Sequence, residues 1–262
     1  MAAWELLKDQ NFRLDGRKPT ELRRIETRLG VFPNADGSAY LEQGNTKVLA
    51  TVYGPHEVKG GRGRSNPDKA VINCQFSKSA FSSSERKTHM KFGRNSSETN
   101  QHLVQALNAA VMSHLYARCQ IDVYVEIVQS DGSDFCACLN ASTLALIDAG
   151  IALKDIVTCC SATIVDEKSV VDVNYVEESS GSAVLIVGLL PKDEQIAYMQ
   201  MKGRLHADHL EKLLDCAVEG CRNINNILKE RIGEHLKTHS SHFTLTRPAT
   251  PGRAERSRPA IA

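Results

Sequence analysis

Two adjacent glutamates, Glu177 and Glu178, are the first candidates for chemistry in this sequence. They follow an alternating stretch at 173–176 and precede a run of small residues, after which apolar residues resume at Val184. Paired carboxylates at the end of a strand can hold a metal ion or transfer a proton. The same pattern also fits an ordinary solvated strand end, and the residue types alone leave both interpretations open.

A basic stretch between Lys59 and Arg94 is the second candidate. It contains nine Lys or Arg residues against two acids, which is a local net charge of +7 in a chain whose total is +1. Such clustering is typical of a site for a polyanion. A solvated, glycine-rich loop would carry the same residues, so both interpretations stand at this point.

The composition is that of an ordinary globular protein, with 262 residues of which 42% are hydrophobic and 24% charged. No apolar run approaches the roughly 18 residues that a membrane span needs. The first ten residues have early acids and no apolar segment, so we expect no secretory signal. The eight cysteines form no C-x-x-C pair. We therefore expect buried thiols in a reducing compartment, and neither a metal site nor a cofactor.

Hydrophobic periodicity predicts the elements that would position these candidates. Alternating or β-branched stretches predict strands at 26–32, 38–44, 47–53, 70–81, 121–128, 156–165, 184–190 and 195–200. Apolar residues at helical spacing predict helices at 98–117, 136–149 and 208–235. Asn95 and Glu98 form a capping-box pattern before the first helix, and Pro55 is expected to end the strand at 47–53.

This order of elements predicts one α/β domain over residues 12–237, an α+β arrangement with a mixed sheet and helices on one side. Residues 1–11 would be an N-terminal arm. Residues 238–262 are rich in Pro, Arg, Ser and Thr. They cannot bury enough apolar surface to offset their ordering entropy, and we expect a disordered tail.

Five stretches occur in an order that resembles the RNase PH superfamily. They are LDGRKPTELR (14–23), ADGSAYLEQGNTKVLATVYGP (35–55), ARCQIDVYVEIVQSDG (117–132), CLNASTLALIDAGI (138–151) and VDVNYVEE (171–178). The resemblance covers residues 12 to about 235 and is closest to the RNase PH-like ring subunits of the RNA exosome. It implies a β/α fold like that of ribosomal protein S5 domain 2, and a six-membered ring of such subunits.

Active members of this superfamily use inorganic phosphate to cleave the 3′-terminal phosphodiester of RNA, and bind that phosphate at a Gly-Gly-Thr-Arg sequence that opens a helix. The matching positions here are Gly132, Ser133, Asp134 and Phe135. Phe135 stands in place of the arginine. Asp134 puts a carboxylate where phosphate would bind, and we expect it to cap the helix instead. A second phosphate-binding arginine of the family falls on Asn95. The resemblance therefore implies degenerate phosphate ligands.

The catalytic pair of the family is two aspartates six residues apart, preceded by a glutamate. Glu177 matches that glutamate, while Glu178 and Val184 fall on the two aspartate positions. Glu178 is one methylene longer than aspartate and Val184 has no acid, so we expect no catalysis. On this hypothesis the glutamates serve in solvated strand-end contacts or a subunit interface. A different metal cluster could form from three aspartates, Asp131, Asp134 and Asp172, but their spacing does not require it.

The basic residues remain as expected ligands for RNA. In the ring, the resemblance places them at the central channel, where Arg and Lys contact the RNA backbone without regard to sequence. The RNA-binding residues expected on this basis are Lys59, Arg62, Arg64, Arg86, Lys87 and Arg94.

The sequence thus predicts a non-catalytic ring subunit of the RNA exosome, active in rRNA processing and mRNA turnover. It would pass single-stranded RNA to a separate hydrolytic exoribonuclease and contact other RNase PH-like subunits and S1/KH-type cap subunits. We expect the protein in the nucleus, the nucleolus and the cytoplasm, and we expect no membrane among its partners. The alternatives are an active phosphate-dependent 3′→5′ exoribonuclease and a binding module outside any ring.

Overall fold

A computed structural model describes residues 12–58, 68–83, 94–165 and 168–245. The first half of the chain forms a sheet of five strands, β1 (Ile25–Leu29), β2 (Gly37–Gln43), β3 (Thr46–Glu57), β4 (Val71–Lys78) and β5 (Cys119–Gln129). Their order in space is β1-β2-β3-β5-β4. Strands β4 and β5 are parallel and all other neighbours antiparallel, so this sheet is mixed.

The second half forms a four-stranded antiparallel sheet. Its strands are β6 (Thr158–Val165), β7 (Lys168–Val171), β8 (Val184–Leu190) and β9 (Gln195–Lys202). They lie in the order β7-β6-β8-β9. All seven residues of β8 are buried, as expected for a central strand covered on both faces.

The helices are α1 (Arg94–Ala110), α2 (Asp134–Asp148), α3 (Tyr175–Ser179) and α4 (Ala207–Leu245). Helix α2 lies between the two sheets, against β2 and β3 of the first and β6 of the second. Every side chain from Phe135 to Leu146 is buried. Most of them are small or apolar, which lets both sheets approach the helix.

The predicted α/β class with a mixed sheet is confirmed, but the layer arrangement is different. We expected one sheet with helices on one side, and the chain forms two sheets with α2 between them. The reason is that buried residues lie on every side of α2 between Phe135 and Leu146 rather than on one face. A helix of that kind must be covered from two sides.

Pro55 does not end the third strand, because β3 continues to Glu57. Strand β2 pairs with β3 only as far as Val52, and beyond that point β3 has a partner on the β5 side alone. The missing N–H of Pro55 therefore faces no second strand, which is the position in a sheet that tolerates proline.

Three other boundaries differ from the sequence prediction. The first helix begins at Arg94, which places Asn95 inside it rather than at its cap, and ends at Ala110. The alternating stretch at 173–176 leads into the short helix α3 instead of continuing as a strand. Helix α4 runs to Leu245, past the boundary at residue 237. Residues 1–11 and 246–262 lie outside the described residues.

The cysteines are free thiols, and six of the eight are buried while Cys119 and Cys216 are half-buried. The Sγ atoms of Cys136 and Cys159 lie 3.4 Å apart. Burial raises the pKa of the Cys159 thiol well above its ordinary value, which keeps it protonated and unreactive. Among the described helices, none combines the length and apolar character of a membrane span.

Candidate functional site

The positions singled out at 133–135, 178 and 184 line one pocket of about 90 Å³. The pocket lies where the start of α2 meets α3, β8 and β9. Its lining residues are Ser133, Asp134, Phe135, Ser161, Val173, Glu178, Val184, Ile186 and Lys202. The fold therefore brings the phosphate positions and the catalytic positions of the resemblance together, although they are far apart in sequence.

Gly132 and Ser133 form a tight turn at the start of α2. Gly132 has φ +81°, and a Cβ there would lie 2.5 Å from backbone atoms of Asn174 and Tyr175. Ser133 is also left-handed, with φ 54°. Its hydroxyl donates to the carbonyl of Val173 at 2.8 Å. The turn is thus held directly against the loop that precedes α3.

Asp134 is the first residue of α2 and does not cap it, since the cap position is Ser133. Its carboxylate accepts hydrogen bonds from Lys78 Nζ at 2.8 Å and from the Ser130 hydroxyl at 2.8 Å. The predicted capping role is wrong, because Lys78 on β4 offers a charged donor, which binds a carboxylate more strongly than neutral amides do.

Phe135 occupies the position of the family's arginine and belongs to an aromatic cluster. Its ring centroid lies 4.8 Å from that of Tyr198 and 6.5 Å from that of His102. Burial raises the pKa of the Tyr198 hydroxyl to about 12. This wall of the pocket is apolar, and Phe135 itself supplies no cation for an anion.

Glu177 is buried on α3, with 4% of its surface exposed. Its carboxylate accepts two hydrogen bonds from the guanidinium of Arg13, and a third from the backbone N–H of Asn174 at 2.9 Å. The expectation of a solvated strand-end contact is therefore wrong for Glu177. The pairing with Arg13, which is 164 residues away, gives the buried carboxylate the charged partner without which its burial would be strongly destabilising.

Glu178 points to the pocket, where its Oε1 lies 3.4 Å from Lys202 Nζ. Val184 begins β8 and is 4% exposed. The pocket thus contains one of the two acids that the family's catalytic pair would need, together with Asp134 from the start of α2. Each of these acids is paired with a lysine.

Asp172 and Arg23 form a buried ion pair behind the pocket. The Asp172 carboxylate accepts from Arg23 Nη2 at 2.6 Å, from the Arg23 backbone N–H at 2.9 Å and from Gln43 Nε2 at 2.8 Å. Burial alone would raise the pKa of Asp172, but the positive charge and hydrogen bonds of Arg23 outweigh it, and the pKa of this carboxyl is lowered.

The same guanidinium joins the two loops that form the pocket. Arg23 Nη1 donates to the carbonyl of Asp131 at 3.0 Å, while Nη2 holds Asp172. Thr46 donates to the carbonyl of Gly132 at 3.0 Å from the same side. The turn before α2 and the loop before α3 are therefore fixed to one cation on the N-terminal segment.

Four basic residues important to this site were missed by sequence reasoning: Arg13, Arg23, Lys78 and Lys202. Arg13 directly precedes the first recognised stretch, LDGRKPTELR, and Arg23 is its last residue, so an arginine-rich segment before the first strand was the available signal. Lys78 and Lys202 each stand at the end of a strand. Nothing local in the sequence indicates that those two strand ends meet at one pocket.

The residues expected to bind RNA fall almost entirely outside the described ranges. This applies to Lys59, Arg62, Arg64, Arg86 and Lys87. Arg94 is the first residue of α1 and Asn95 follows it in the helix.

The three aspartates of the alternative metal cluster are not brought together as ligands. Asp172 is bound by Arg23, Asp131 accepts from Asn45 at 3.1 Å, and Asp134 is bound by Lys78. Within the described ranges, no group of three His, Cys, Asp or Glu side chains is arranged to hold a metal ion.

Comparison with known proteins identifies the family. Residues 21–152 match the model of domain 1 of the 3′ exoribonuclease family (RNase PH), and residues 155–220 match domain 2 of the same family. These matches cover most of the chain. The protein belongs to the RNase PH family of 3′ exoribonucleases, which confirms the resemblance.

Named relatives are similar over nearly their whole length. The human exosome complex component RRP41 is 48% identical over 240 residues, covering 92% of this chain and 98% of that protein. The exosome complex component Rrp41 of the archaeon Methanopyrus kandleri is 37% identical, covering 87% and 96%.

Solved structures agree on the fold. Rice Rrp46 superimposes with a TM-score of 0.74 at 24% identity, covering 83% of this chain and 98% of that one. A chain of the Archaeoglobus fulgidus exosome with RNA bound to the active site gives 0.71 at 24% identity, covering 84% and 93%.

The expectation that the chain is not an enzyme is wrong. Both halves of the chain match a 3′ exoribonuclease family, and its archaeal relatives are exosome complex components of the Rrp41 type. The prediction judged activity from residue types at a few positions in one pocket. It did not include Lys78 and Lys202, which bring positive charge to that pocket from two other strands.

The buried pair makes stability depend on pH in a defined direction. Because the pKa of Asp172 is lowered in the fold, its stabilisation is fully present above the unfolded carboxyl pKa of about 3.9 and is lost as pH falls through the lower folded value. In the Asp172→Asn variant, asparagine can still adopt the left-handed backbone conformation at position 172. The substitution removes the negative charge that pairs with Arg23. We expect this variant to lose about 3–5 kcal/mol of unfolding free energy at pH 7.

Denaturant unfolding at pH 7 and near pH 3 measures this effect. The difference between wild type and Asp172→Asn should narrow at the lower pH, because the Asp172 carboxylate of the unfolded wild-type chain takes up a proton there more readily than the folded one does. Glu234→Gln, which breaks an exposed pair with Arg231 on α4, is the control and should change stability little at either pH. A difference that stays constant across this range would contradict the assignment of the pair.

Proposed function

We propose that this protein is a core subunit of an RNA exosome, where it binds single-stranded RNA and presents the 3′ end for 3′→5′ processing or degradation. The observation that carries this proposal is the near full-length match to exosome components from human and archaeal sources. The chain also shares its fold with chains of archaeal exosomes, which is consistent with this proposal.

The charge distribution supports binding to the RNA backbone. The net +7 between Lys59 and Arg94 lies in a chain with almost no net charge. Lys78, which belongs to this stretch, donates to Asp134 at the pocket, so one cation of the stretch lies at the candidate site. A backbone bound along these cations would have its end close to the pocket.

The finer parts of the proposal concern the assembly. The chain would stand in a six-membered ring with other RNase PH-like subunits, with Lys59, Arg62, Arg64, Arg86, Lys87 and Arg94 along the central channel. S1/KH-type cap subunits would guide RNA in, and a hydrolytic exoribonuclease would receive it. The substrates would be rRNA precursors and mRNA, in the nucleus, the nucleolus and the cytoplasm.

A second candidate function is phosphate-dependent exonuclease activity by the chain itself. In this reaction inorganic phosphate attacks the 3′-terminal phosphodiester, the bond to the preceding ribose oxygen breaks, and a nucleoside diphosphate leaves. The archaeal relatives and the family favour this function. Because Phe135 supplies no cation, Lys202 at the pocket, or a residue of a neighbouring subunit, would have to help bind the phosphate.

Charge reversal tests the RNA-binding proposal. In the assembled complex, Arg62→Glu with Arg94→Glu should weaken retention of single-stranded RNA and lower the slope of log affinity against log salt by about 1.4, since two phosphate contacts are lost. Arg222→Glu with Arg231→Glu on the exposed side of α4 is the matched control and should leave both quantities unchanged. Equal loss in the two variants would contradict the channel assignment.

The second candidate is tested by phosphorolysis. The complex is reconstituted without a hydrolytic nuclease and given 3′-labelled RNA, phosphate and Mg²⁺. We expect phosphate-dependent release of nucleoside diphosphate, reduced about 10- to 100-fold by Lys202→Gln, because a hydrogen bond from a charged group is worth about 1.5–3 kcal/mol. Lys212→Gln, an exposed lysine of α4, is the control. Absence of diphosphate with RNA still bound would remove this candidate and leave the first proposal intact.

A further inference from the structure

An open groove of about 520 Å³ lies between strand β4 and helix α1. Among the described residues that line it, none carries a charge, and five carry a carboxamide: Asn73, Asn100, Gln101, Gln105 and Asn108. The solvent-facing side of a helix ordinarily presents charged residues as well. Because a carboxamide both donates and accepts hydrogen bonds, a groove of this composition fits a ligand that offers both kinds of atom.

The carboxamides of α1 form a row along one side of the helix. Gln101, Gln105 and Asn108 follow at intervals of four and three residues, which places them next to one another. All three are exposed, while Leu103 and Leu107 are buried in the core. Helix formation alone does not account for this row, because alanine, lysine and glutamate favour a helix more than asparagine does.

Two of the carboxamides are held in a fixed orientation. Oδ1 of Asn100 accepts a hydrogen bond from the backbone N–H of Phe76 at 2.6 Å. Nδ2 of Asn73 donates to the carboxylate of Asp122 at 3.3 Å. A backbone N–H can only donate and an ionised carboxylate can only accept, so these partners decide which way each amide is turned. Asn100 therefore has its amino group left for a ligand acceptor, and Asn73 has its oxygen left for a ligand donor.

The groove follows the middle of the basic stretch and leads to the candidate site. The backbone N–H of Ala70 donates to the carbonyl of Ser113 at 2.9 Å, so β4 begins beside the end of α1, directly after the exposed Lys69. At its other end β4 finishes at Lys78, which binds Asp134 at the pocket. An RNA backbone held by the cations of the basic stretch would keep its bases close to the carboxamides between them.

We infer that this groove binds the bases of single-stranded RNA upstream of the pocket, and that it favours adenine. The inference rests on the proposed function. Adenine offers a donor, its N6 amino group, between two acceptors, N1 and N7, so either of its edges matches a carboxamide. Unstacked bases of single-stranded RNA expose these edges. An extended peptide also carries donors and acceptors, but the basic stretch around β4 favours a polyanion.

Binding of RNA by the reconstituted complex, in the absence of phosphate and Mg²⁺, tests the inference. The wild-type complex should bind oligoadenylate more tightly than oligouridylate, and both more tightly than an abasic ribose-phosphate strand of equal length. Gln101→Ala with Gln105→Ala should weaken binding of oligoadenylate about 10-fold, which is the size of one good base contact. The variant should bind the abasic strand as the wild type does, and its advantage for adenine should disappear.

Salt dependence separates this inference from the proposed function. Carboxamides carry no charge, so the Gln101→Ala and Gln105→Ala variant should keep the wild-type slope of log affinity against log salt. The charge reversals at Arg62 and Arg94 should lower that slope. Asn223→Ala with Asn226→Ala, which removes two exposed carboxamides from α4, is the matched control and should leave affinity, base preference and slope unchanged.

Two results would overturn the inference while leaving the proposed function intact. One is equal binding of oligoadenylate by the wild type and the Gln101/Gln105 variant. The other is a wild-type complex that binds the abasic strand as tightly as oligoadenylate, a comparison that needs no variant to fold. A wild-type complex that binds no RNA would overturn the proposed function as well.

A protein partner is the competing occupant of the groove. Alanine favours a helix at least as well as glutamine does, so the variant should fold, and native mass spectrometry can follow its entry into the complex. If the Gln101/Gln105 variant fails to assemble while the α4 control assembles, the groove is a contact between subunits and the inference is wrong. Normal assembly together with loss of the preference for adenine supports it.

Discussion

Two buried ion pairs between the N-terminal segment and residues 171–178 determine how the rest of the site is arranged. Arg23 binds Asp172, and Arg13 binds Glu177, with all four side chains almost fully removed from solvent. A buried pair of this kind adds little net stability over an apolar pair of the same size, but loss of one partner is costly. Its main effect here is to specify which segments meet.

The segments that meet are those that form the pocket. Arg23 holds both the turn at 131–132 and the loop at 172, and Glu177 orients α3 through its capping box with Asn174. With these loops fixed, the start of α2 and the end of α3 present Asp134 and Glu178 toward one space. Lys78 and Lys202 then approach from the ends of β4 and β9 and pair with the two acids. The pocket therefore depends on contacts behind it as much as on its lining.

The long helices and all the strands except β7 could be predicted from the sequence, because their apolar residues repeat with a local period. The resemblance singled out Ser133, Asp134, Phe135, Glu178 and Val184 as phosphate and catalytic positions, and the fold brings these five to one pocket. The failures have a common cause. The burial of Glu177, the role of Asp134 and the second sheet all depend on partners distant in the chain, such as Arg13 for Glu177 and Lys78 for Asp134. No local pattern contains that information. Glu177 was therefore predicted to be solvated, although it is buried.

Membership of the RNase PH family and the geometry of the pocket together support an account in which RNA follows the basic stretch and ends at the pocket between α2, α3 and β9. On this account, the role of the pocket depends on its place along the RNA path more than on the residue type at any one of its positions. Phe135 in place of arginine makes this wall of the pocket apolar, but it does not change where the pocket lies in the fold.

The most direct test of this account is to locate the RNA 3′ end. The reconstituted complex is loaded with single-stranded RNA that carries a photoreactive nucleotide at its 3′ terminus, irradiated, and analysed by mass spectrometry for cross-linked peptides. The account predicts cross-links in this chain to peptides containing 131–135, 175–184 or 199–202, with an upstream label reacting within 59–94. Cross-links confined to other subunits, in a complex that retains RNA, would contradict it.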